Sequence, residues 1–267
     1  MPAEPGHAPR RVTLAVALIV KNEAQYLAAC LDSVAGWADE IVILDSGSTD
    51  ATEEIARRYT QAFYTSADWP GFGPQRQRAQ THVTADWILW LDADERVTPQ
   101  LRASIDAVLQ DPPANTVYQV ARLSWAFGQF IRHCGWYPGY VERLHPRALT
   151  RYNDALVHES LVLPPGAQLK TLQGDLLHFT YATVDEHLRK SAGYAIAWAE
   201  QREAAGKKGS LLTATLHAGA RFIRTYFLRL GILDGKAGFL LSVMAAQSVF
   251  NKYACLWSRT RQTRRPD

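Results

Sequence analysis

Two aspartates, Asp92 and Asp94, lie one residue apart at the end of an apolar run, in the segment WLDADE. In an extended segment, residues two apart share one face, so these two negative charges repel each other. A divalent cation with oxygen ligands relieves the repulsion, most simply Mg²⁺ or Mn²⁺ shared with a diphosphate. The pair therefore predicts a metal site. The alternative is that both aspartates cap the following helix, although Thr98 and Pro99 already supply a cap there.

A D-x-D pair also occurs in phosphatases that form an aspartyl-phosphate. That class carries Thr or Val four residues after its first aspartate, and this chain has Arg96 at that position. The phosphatase interpretation is therefore disfavoured.

The elements before the pair alternate between strand and helix. An unbroken apolar run predicts a buried strand at 12–20. EIVILD predicts a second buried strand at 40–45, AFYT a short third at 62–65 and WILWL a fourth at 87–91, and a predicted helix follows each. Asp50 and Glu53 have capping-box spacing, and Thr98 with Pro99 begins a helix that runs to Gln110. Residues 12–110 thus predict a Rossmann-like α/β fold whose mostly parallel sheet binds ligands at the carboxyl ends of its strands.

Polar side chains follow these predicted strands. Lys21, Asn22 and Glu23 follow the first strand, and Asp45 ends the second. A carboxylate at Asp45 can accept hydrogen bonds from a base N–H or from ribose hydroxyls, or it can simply shape the turn with Ser46. The chain has neither a G-x-G-x-x-G fingerprint nor a Walker lysine, so neither a dinucleotide site nor a P-loop is supported.

Charge is unevenly distributed along the 267 residues. Residues 201–267 carry twelve Lys and Arg against three Asp and Glu, a net +9 within a chain of net charge +3. A basic end on an acidic body indicates an anionic partner. The three scattered cysteines and a short polar tail at 1–11 predict a cytoplasmic protein. Nucleic-acid binding is disfavoured because the basic end lacks the patterns of such binders.

Four segments together resemble family 2 glycosyltransferases of the GT-A fold. They are VKNEAQYLAACLDSV, EIVILDSGSTDAT, WILWLDADERVT and VHESL, in this order. The closer resemblance is to bacterial lipopolysaccharide-core β-glucosyltransferases of the WaaE (KdtX) type, over roughly residues 12–190. The resemblance implies a UDP-sugar donor, a divalent metal (Mn²⁺ or Mg²⁺) and inversion at the anomeric carbon.

The resemblance also implies roles for individual residues. Asp45 matches the aspartate that contacts the nucleoside, and Asp92 and Asp94 match the metal-binding pair, with Asp94 the direct ligand. The expected nucleotide-sugar contacts are Lys21, Asn22, Glu23, Asp45, Gln75, Arg78 and Asp92.

An inverting transfer needs a base that removes the proton of the acceptor hydroxyl. In the segment DALVHESL we expect Glu159 to be that base, with Asp154 as the alternative. His158 is either a metal or diphosphate ligand or a structural hydrogen-bonder. In the aromatic stretch before it, Trp136 and Tyr137 are expected to stack on an acceptor sugar and Arg143 to bind a phosphate; alternatively, the rings belong to the core.

The predicted organisation is a disordered tail at 1–11, a GT-A catalytic domain at 12–183 and a basic helical extension at 184–267. The catalytic domain divides into a nucleotide-sugar half, 12–110, and an acceptor half, 111–183. The predicted activity is transfer of a hexose, glucose from UDP-glucose, to a lipid-linked acceptor of the cell envelope, the lipopolysaccharide core. The alternatives are a non-catalytic nucleotide-sugar or glycan binder on this fold and a glycosyltransferase that acts on a peptide.

A helical wheel over 221–230 gives the basic extension two faces. Apolar side chains from Phe222 to Leu230 share one face, and arginines lie opposite, with Leu228 misplaced among them. This pattern is typical of a helix at a membrane surface. We therefore expect peripheral binding to the anionic inner face of the cytoplasmic membrane. The alternatives are packing on the catalytic domain and a homo-oligomer contact between C-terminal helices.

Overall fold

The computed structural model describes residues 11–156, 159–181 and 183–261. The chain forms two compact units. The first comprises Met1–Arg122 and Tyr140–Leu177, and the second comprises Leu123–Gly139 and His178–Asp267. Residues 123–139, which the sequence-based division assigns to the acceptor half, thus belong with the C-terminal helices.

The first unit is organised around four parallel strands in the order β3-β2-β1-β4. They are β1 (Leu14–Val20), β2 (Glu40–Asp45), β3 (Phe63–Thr65) and β4 (Trp87–Trp90). The sheet continues in the order β4-β8-β6-β9-β5, and β7 pairs with β6. These later strands are β5 (Glu95–Val97), β6 (Thr116–Ala126), β7 (Gln129–Phe130), β8 (Gly139–Pro146) and β9 (Gln168–Tyr181). Since β8 runs antiparallel to β4, the sheet is mixed beyond its parallel part.

Helices follow the parallel strands, as the sequence predicts. They are α1 (Leu27–Asp32), α2 (Thr52–Ala56), α3 (Phe72–Thr81) and α4 (Pro99–Gln110). Every residue of β1 is buried, which explains its unbroken apolar run. The predicted cap of α4 is confirmed, because Thr98 Oγ1 accepts a hydrogen bond from Leu101 N at 3.2 Å and Pro99 is the first helical residue.

The capping box predicted from Asp50 to Glu53 is wrong. The helix begins at Thr52, and the residue before it, Ala51, makes no side-chain cap. Asp50 instead accepts hydrogen bonds from Thr52 N at 3.0 Å and from Ala24 N at 3.1 Å. Its carboxylate therefore connects the loop after β1 to the loop after β2. The spacing of Asp50 and Glu53 in the sequence does not reveal that Ala24 is a partner.

The second unit contains three long helices, α5 (Val184–Ala204), α6 (Leu211–Ile223) and α7 (Gly235–Arg261). A π-helical turn at Arg224–Leu228 and a 3-10 turn at Gly231–Asp234 connect α6 to α7. Thr183 caps α5 in a capping box with Glu186. Among the described helices, none combines the length and the apolar character needed to cross a bilayer.

The helical wheel over 221–230 fails after Ile223. The π-helical turn changes the spacing of side chains, and Leu230 adopts a left-handed backbone with φ 54°. Phe222 and Tyr226 stack at 5.4 Å between ring centroids and both contact Phe239. Leu228, which the wheel places among the arginines, is 74% exposed. The apolar side chains thus divide between a partly exposed aromatic contact and an exposed turn.

Candidate active site

The carboxyl ends of the parallel strands meet at one edge of the sheet. Val20, the last residue of β1, is in register with Asp45, the last residue of β2. The loops that follow are bonded to each other, since Asn22 Oδ1 accepts from Thr49 N at 2.8 Å and Glu23 N donates to Thr52 Oγ1 at 2.8 Å. The structure therefore brings together the residues that the sequence predicts at these two strand ends.

Asp45 is buried and fully engaged by its own turn. Its Oδ2 accepts hydrogen bonds from Gly47 N and Ser48 N, both at 2.9 Å, and its Oδ1 accepts from Ser48 Oγ. Gly47 has φ 82°, a backbone conformation that favours glycine. The turn-shaping role considered for Asp45 is thus present in this structure, and its contact with a nucleoside stays a prediction.

The two candidates on α3 have different surroundings. Gln75 is buried, and its Nε2 donates to Ser46 Oγ at 3.0 Å. Its Oε1 is buried without a partner among the described residues, so this atom can accept a hydrogen bond from a ligand. Arg78 lies at the surface and pairs with Asp68, holding the pKa of that carboxyl to about 2.

Asp92 lies between two buried arginines. Arg76 Nη2 donates to Asp92 Oδ1 at 2.6 Å, and Arg143 Nη2 donates to Asp92 Oδ2 at 2.5 Å. Burial alone would raise the pKa of Asp92, but Arg143 and Arg76 hold it well below its ordinary value. The positive charge that this carboxylate requires thus comes from the protein.

Glu95, the third carboxylate of WLDADE, has a structural position. It is fully buried; its Oε2 accepts from Asp92 N at 2.9 Å and its Oε1 accepts from Arg143 Nη2 at 2.7 Å. Burial raises the pKa of Glu95. Glu95 therefore fixes both the backbone of Asp92 and the arginine beside its side chain.

Arg76 also joins Asp92 to the expected base. Its Nε donates to Glu159 Oε1 at 3.0 Å, and the Glu159 side chain is 15% exposed. The alternative base, Asp154, is exposed and accepts from Gln77 Nε2 at 2.8 Å. We call Arg76, Asp92, Glu95, Arg143 and Glu159 the charged cluster. His158 lies outside the described residues.

Close packing positions both Arg76 and the segment that carries Glu159. The Arg76 guanidinium lies 5.3 Å from the centroid of the Trp90 ring and 5.0 Å from that of Tyr152. At the start of α3, Gly73 N donates to Ala155 O at 3.1 Å. A Cβ at Gly73 would lie 2.0 Å from Asn153 O, so only glycine permits this approach to the segment before Glu159.

Arg76 and two exposed aromatic residues lie near the site but are not among the residues predicted from the sequence. Arg76 lies one residue after Gln75, and an arginine in a polar helix is typical of a solvated surface. Trp69 and Phe72 are in edge-to-face contact at 4.9 Å and line a cavity at the end of β1. Lys21 and Glu23 line the same cavity. The sequence did offer a signal for Trp69 and Phe72, because they are neighbouring aromatic residues in a loop that follows a predicted strand.

The expected acceptor residues fall in both units. Arg143 lies in the charged cluster of the first unit, whereas Trp136 and Tyr137 belong to the second. The Trp136 ring lies 6.2 Å from that of Tyr181, and the Arg132 guanidinium lies 5.9 Å from the Tyr137 ring. Their contact with an acceptor sugar stays a prediction.

A metal site here depends on few protein ligands. Within 11–156, 159–181 and 183–261, no group of three or more His, Cys, Asp or Glu side chains is arranged to hold a metal ion. Mg²⁺ commonly binds one or two carboxylates together with substrate phosphates. Both Asp92 oxygens bond arginines, and the half-buried Asp94 lies two residues further on, so a metal bound to this pair stays a prediction.

Comparison with known proteins defines the class of this enzyme. The family model for glycosyl transferase family 2 matches residues 15–158. The chain therefore belongs to this family, is a glycosyltransferase and has the GT-A fold with a C-terminal helical extension.

Among its relatives is the lipopolysaccharide core biosynthesis glycosyltransferase LpsC of Rhizobium meliloti (strain 1021). The two are 31% identical over 268 residues, 96% of each chain. An uncharacterized glycosyltransferase of Rickettsia bellii (strain RML369-C) is 26% identical over 90% of this chain and 84% of its own.

One similar solved structure matches about half of the chain. Glucosyl-3-phosphoglycerate synthase from Mycobacterium tuberculosis, in complex with Mn²⁺, UDP-glucose and glycerol 3-phosphate, is 21% identical with a TM-score of 0.38. The match covers 52% of this chain and 58% of that chain. This chain thus spans little more than half the length of that structure.

Proposed function

We propose that this glycosyltransferase moves glucose from UDP-glucose to the lipopolysaccharide core, a lipid-linked acceptor, with inversion at the anomeric carbon. The similarity to LpsC over nearly the whole of both chains supports this acceptor class. One observation carries the mechanism: Arg76 bonds Asp92 and Glu159 simultaneously. The same arginine therefore fixes Asp92, which is assigned to the diphosphate leaving group, and Glu159, which is assigned as the base.

The donor nucleotide binds at the carboxyl ends of β1 and β2. The base and ribose occupy the cavity lined by Lys21, Glu23, Trp69 and Phe72, whose exposed rings offer a stacking surface. Asp45, at the adjacent strand end, contacts the nucleoside once Ser48 releases one of its oxygens. This arrangement follows the rule for ligands of parallel α/β sheets.

The diphosphate of the donor lies beside Asp94 and the charged cluster. Arg76 Nη1 is buried without a partner among the described residues, and a phosphate oxygen would satisfy it. Asp94, with Asp92 beside it, would hold Mn²⁺ or Mg²⁺. A divalent ion there would neutralise charge that develops on the leaving diphosphate.

Glu159 is the general base. The described residues donate to its Oε1 only, from Arg76, which leaves Oε2 to accept the proton of the acceptor hydroxyl. The hydroxyl oxygen then forms a bond to the anomeric carbon while the bond to the diphosphate breaks on the opposite side. The carboxylate keeps the proton, and the configuration at the anomeric carbon inverts.

The enzyme works in the cytoplasm, peripherally bound to the inner face of the cytoplasmic membrane. A lipid-linked acceptor places the reaction at that surface, and the +9 charge of residues 201–267 favours an anionic leaflet.

A nucleotide-sugar panel tests this function. Thermal unfolding is measured with each nucleotide sugar, with and without Mn²⁺, and the preferred donor is then incubated with lipopolysaccharide core acceptor. We expect UDP-glucose with Mn²⁺ to give the largest stabilisation and a β-linked product by NMR. If the donor binds but is neither transferred nor hydrolysed, the non-catalytic alternative is favoured. Transfer to a peptide instead would contradict the proposed acceptor.

A further inference from the structure

The second unit contains a basic cavity that the transferase chemistry does not use. The cavity lies between α5, α6 and α7 and has a volume of about 340 Å³. Its polar lining consists of Arg221, Arg224 and Lys252, and its ring-bearing lining consists of Trp198, His217 and Tyr253.

The rings form one wall of this cavity. His217 and Tyr253 stack at 4.9 Å with an interplanar angle of 5°, and Trp198 lies 5.0 Å from Tyr253. These contacts join one residue from each of the three helices. The wall is therefore held by packing, independently of any bound group.

The three cations of the cavity have no carboxylate partners within the described part of the chain. Among residues 11–156, 159–181 and 183–261, no acidic side chain lines the cavity and no ion pair involves Arg221, Arg224 or Lys252. Arg259 on the same helix as Lys252, by contrast, pairs with Glu203 at 2.6 Å. Converging like charges repel, and a bound anion removes that repulsion. Guanidinium groups in particular match phosphate through paired hydrogen bonds.

An exposed apolar turn follows directly after Arg224. Phe227 is 52% exposed, Leu228 74% and Leu233 64%. Leu230 and Ile232 are also exposed. Apolar side chains beside unpaired cations are the combination by which peripheral proteins bind the boundary between lipid headgroups and acyl chains. The phosphate that suits the cavity is therefore one carried by a lipid.

We propose that Arg221, Arg224 and Lys252 form a specific site for the phosphate of an anionic phospholipid, while the apolar turn at 227–233 enters the headgroup region. This goes beyond a general attraction of the basic extension to a membrane. It also does not depend on the transferase site, so Asp94→Ala should bind vesicles like the wild type.

Cosedimentation of the full chain with phosphatidylglycerol–phosphatidylcholine vesicles tests the site. The double variant Arg221→Gln/Arg224→Gln should bind roughly thirtyfold more weakly, since each basic residue near an anionic surface contributes about fivefold. Lys207→Gln/Lys208→Gln is the matched control, because these exposed lysines of the same unit remove the same charge outside the cavity. The control should lose less than about threefold. An equal loss in both double variants would show unspecific attraction and overturn the site.

Further measurements identify the source of the phosphate and the role of the turn. Leu228→Ser should also weaken vesicle binding, because the turn inserts. If inorganic phosphate stabilises the chain against heat through the two arginines but vesicles do not bind, the lipid assignment is wrong. If the chain stays in the supernatant and sediments as a dimer that Leu228→Ser dissociates, the turn is a contact between copies and the proposal fails.

Discussion

Arg76 and Glu159 are joined by a hydrogen bond of 3.0 Å from Nε to Oε1, although 83 residues separate them in the sequence. The same guanidinium bonds Asp92 at 2.6 Å, and its side chain is only 3% exposed. A rigid planar group is thus shared by the residue expected to act on the acceptor and by the first aspartate of the D-x-D pair. A lysine at this position would keep the charge but could not make both contacts in the same geometry.

Arg76→Lys should therefore reduce turnover by roughly tenfold or more and lower the free energy of unfolding by about 3 kcal/mol, as expected when a buried ion pair is broken. Steady-state kinetics and urea denaturation measure the two effects. Arg58→Lys is the matched control because its pair with Glu54 is exposed and Arg58 is not among the site residues. Wild-type turnover in Arg76→Lys would mean that the shared anchor does not matter for catalysis.

Glu159→Gln should lower kcat by roughly 10² to 10⁴, the range that a general base contributes, and leave the KM for the donor nearly unchanged. Asp154→Asn should retain near wild-type kcat, since Asp154 is exposed and bonded to Gln77. If the two variants behave in the opposite way, Asp154 is the base. A large rise in the donor KM in Glu159→Gln would instead assign Glu159 to nucleotide or metal binding.

Gly73→Ala tests the packing that positions the Glu159 segment. The added Cβ would meet Asn153 O at 2.0 Å, so the segment must move, at a cost of about 1 to 3 kcal/mol. We expect a lower melting temperature and reduced kcat. Gly193→Ala, where the added Cβ meets nothing within 4 Å, is the control and should be neutral or slightly stabilising. Similar behaviour of both variants would contradict the close approach.

His145 should make the first unit sensitive to acid. Its Nε2 accepts from Trp90 Nε1 at 3.1 Å, and burial lowers the pKa of His145 to about 4. Between pH 6.5, the ordinary value, and pH 4, the unfolded state binds a proton that the folded state does not. The free energy of unfolding therefore falls as pH falls through this window, by up to about 3 kcal/mol.

His145→Gln checks this dependence, because glutamine offers Trp90 an acceptor without titrating. Urea denaturation between pH 7 and pH 4 should give a shallower decline for the variant than for the wild type. Identical slopes would mean that His145 does not contribute to the acid sensitivity.

Several features were predictable because each depends on local sequence. The strand at 14–20 is an unbroken apolar run, and the helix after Thr98 has a threonine cap followed by proline. The neighbourhood of Lys21 and Asp45 follows from the general geometry of parallel sheets. Each of these features needs only one segment and a rule that holds across proteins.

The features that were missed depend on partners distant in sequence. Arg76 is buried only because Asp92 and Glu159, 16 and 83 residues away, require its charge. Glu95 extends a run of carboxylates, and its pairing with Arg143 is not visible in the sequence. The wheel over 221–230 assumed one helical spacing throughout, whereas the backbone widens into a π-helical turn at Arg224–Leu228 and becomes left-handed at Leu230.

The most direct test of the proposed mechanism is calorimetric titration of UDP-glucose into wild type and Asp94→Ala, with and without Mn²⁺. We assign the metal to Asp94 because it matches the direct metal ligand of the family's D-x-D pair. We predict that Mn²⁺ strengthens donor binding to the wild type, and that Asp94→Ala loses this gain and all transfer while keeping the wild-type circular dichroism spectrum. Equal donor affinity with and without Mn²⁺ in the wild type, or near wild-type turnover in Asp94→Ala, would contradict it.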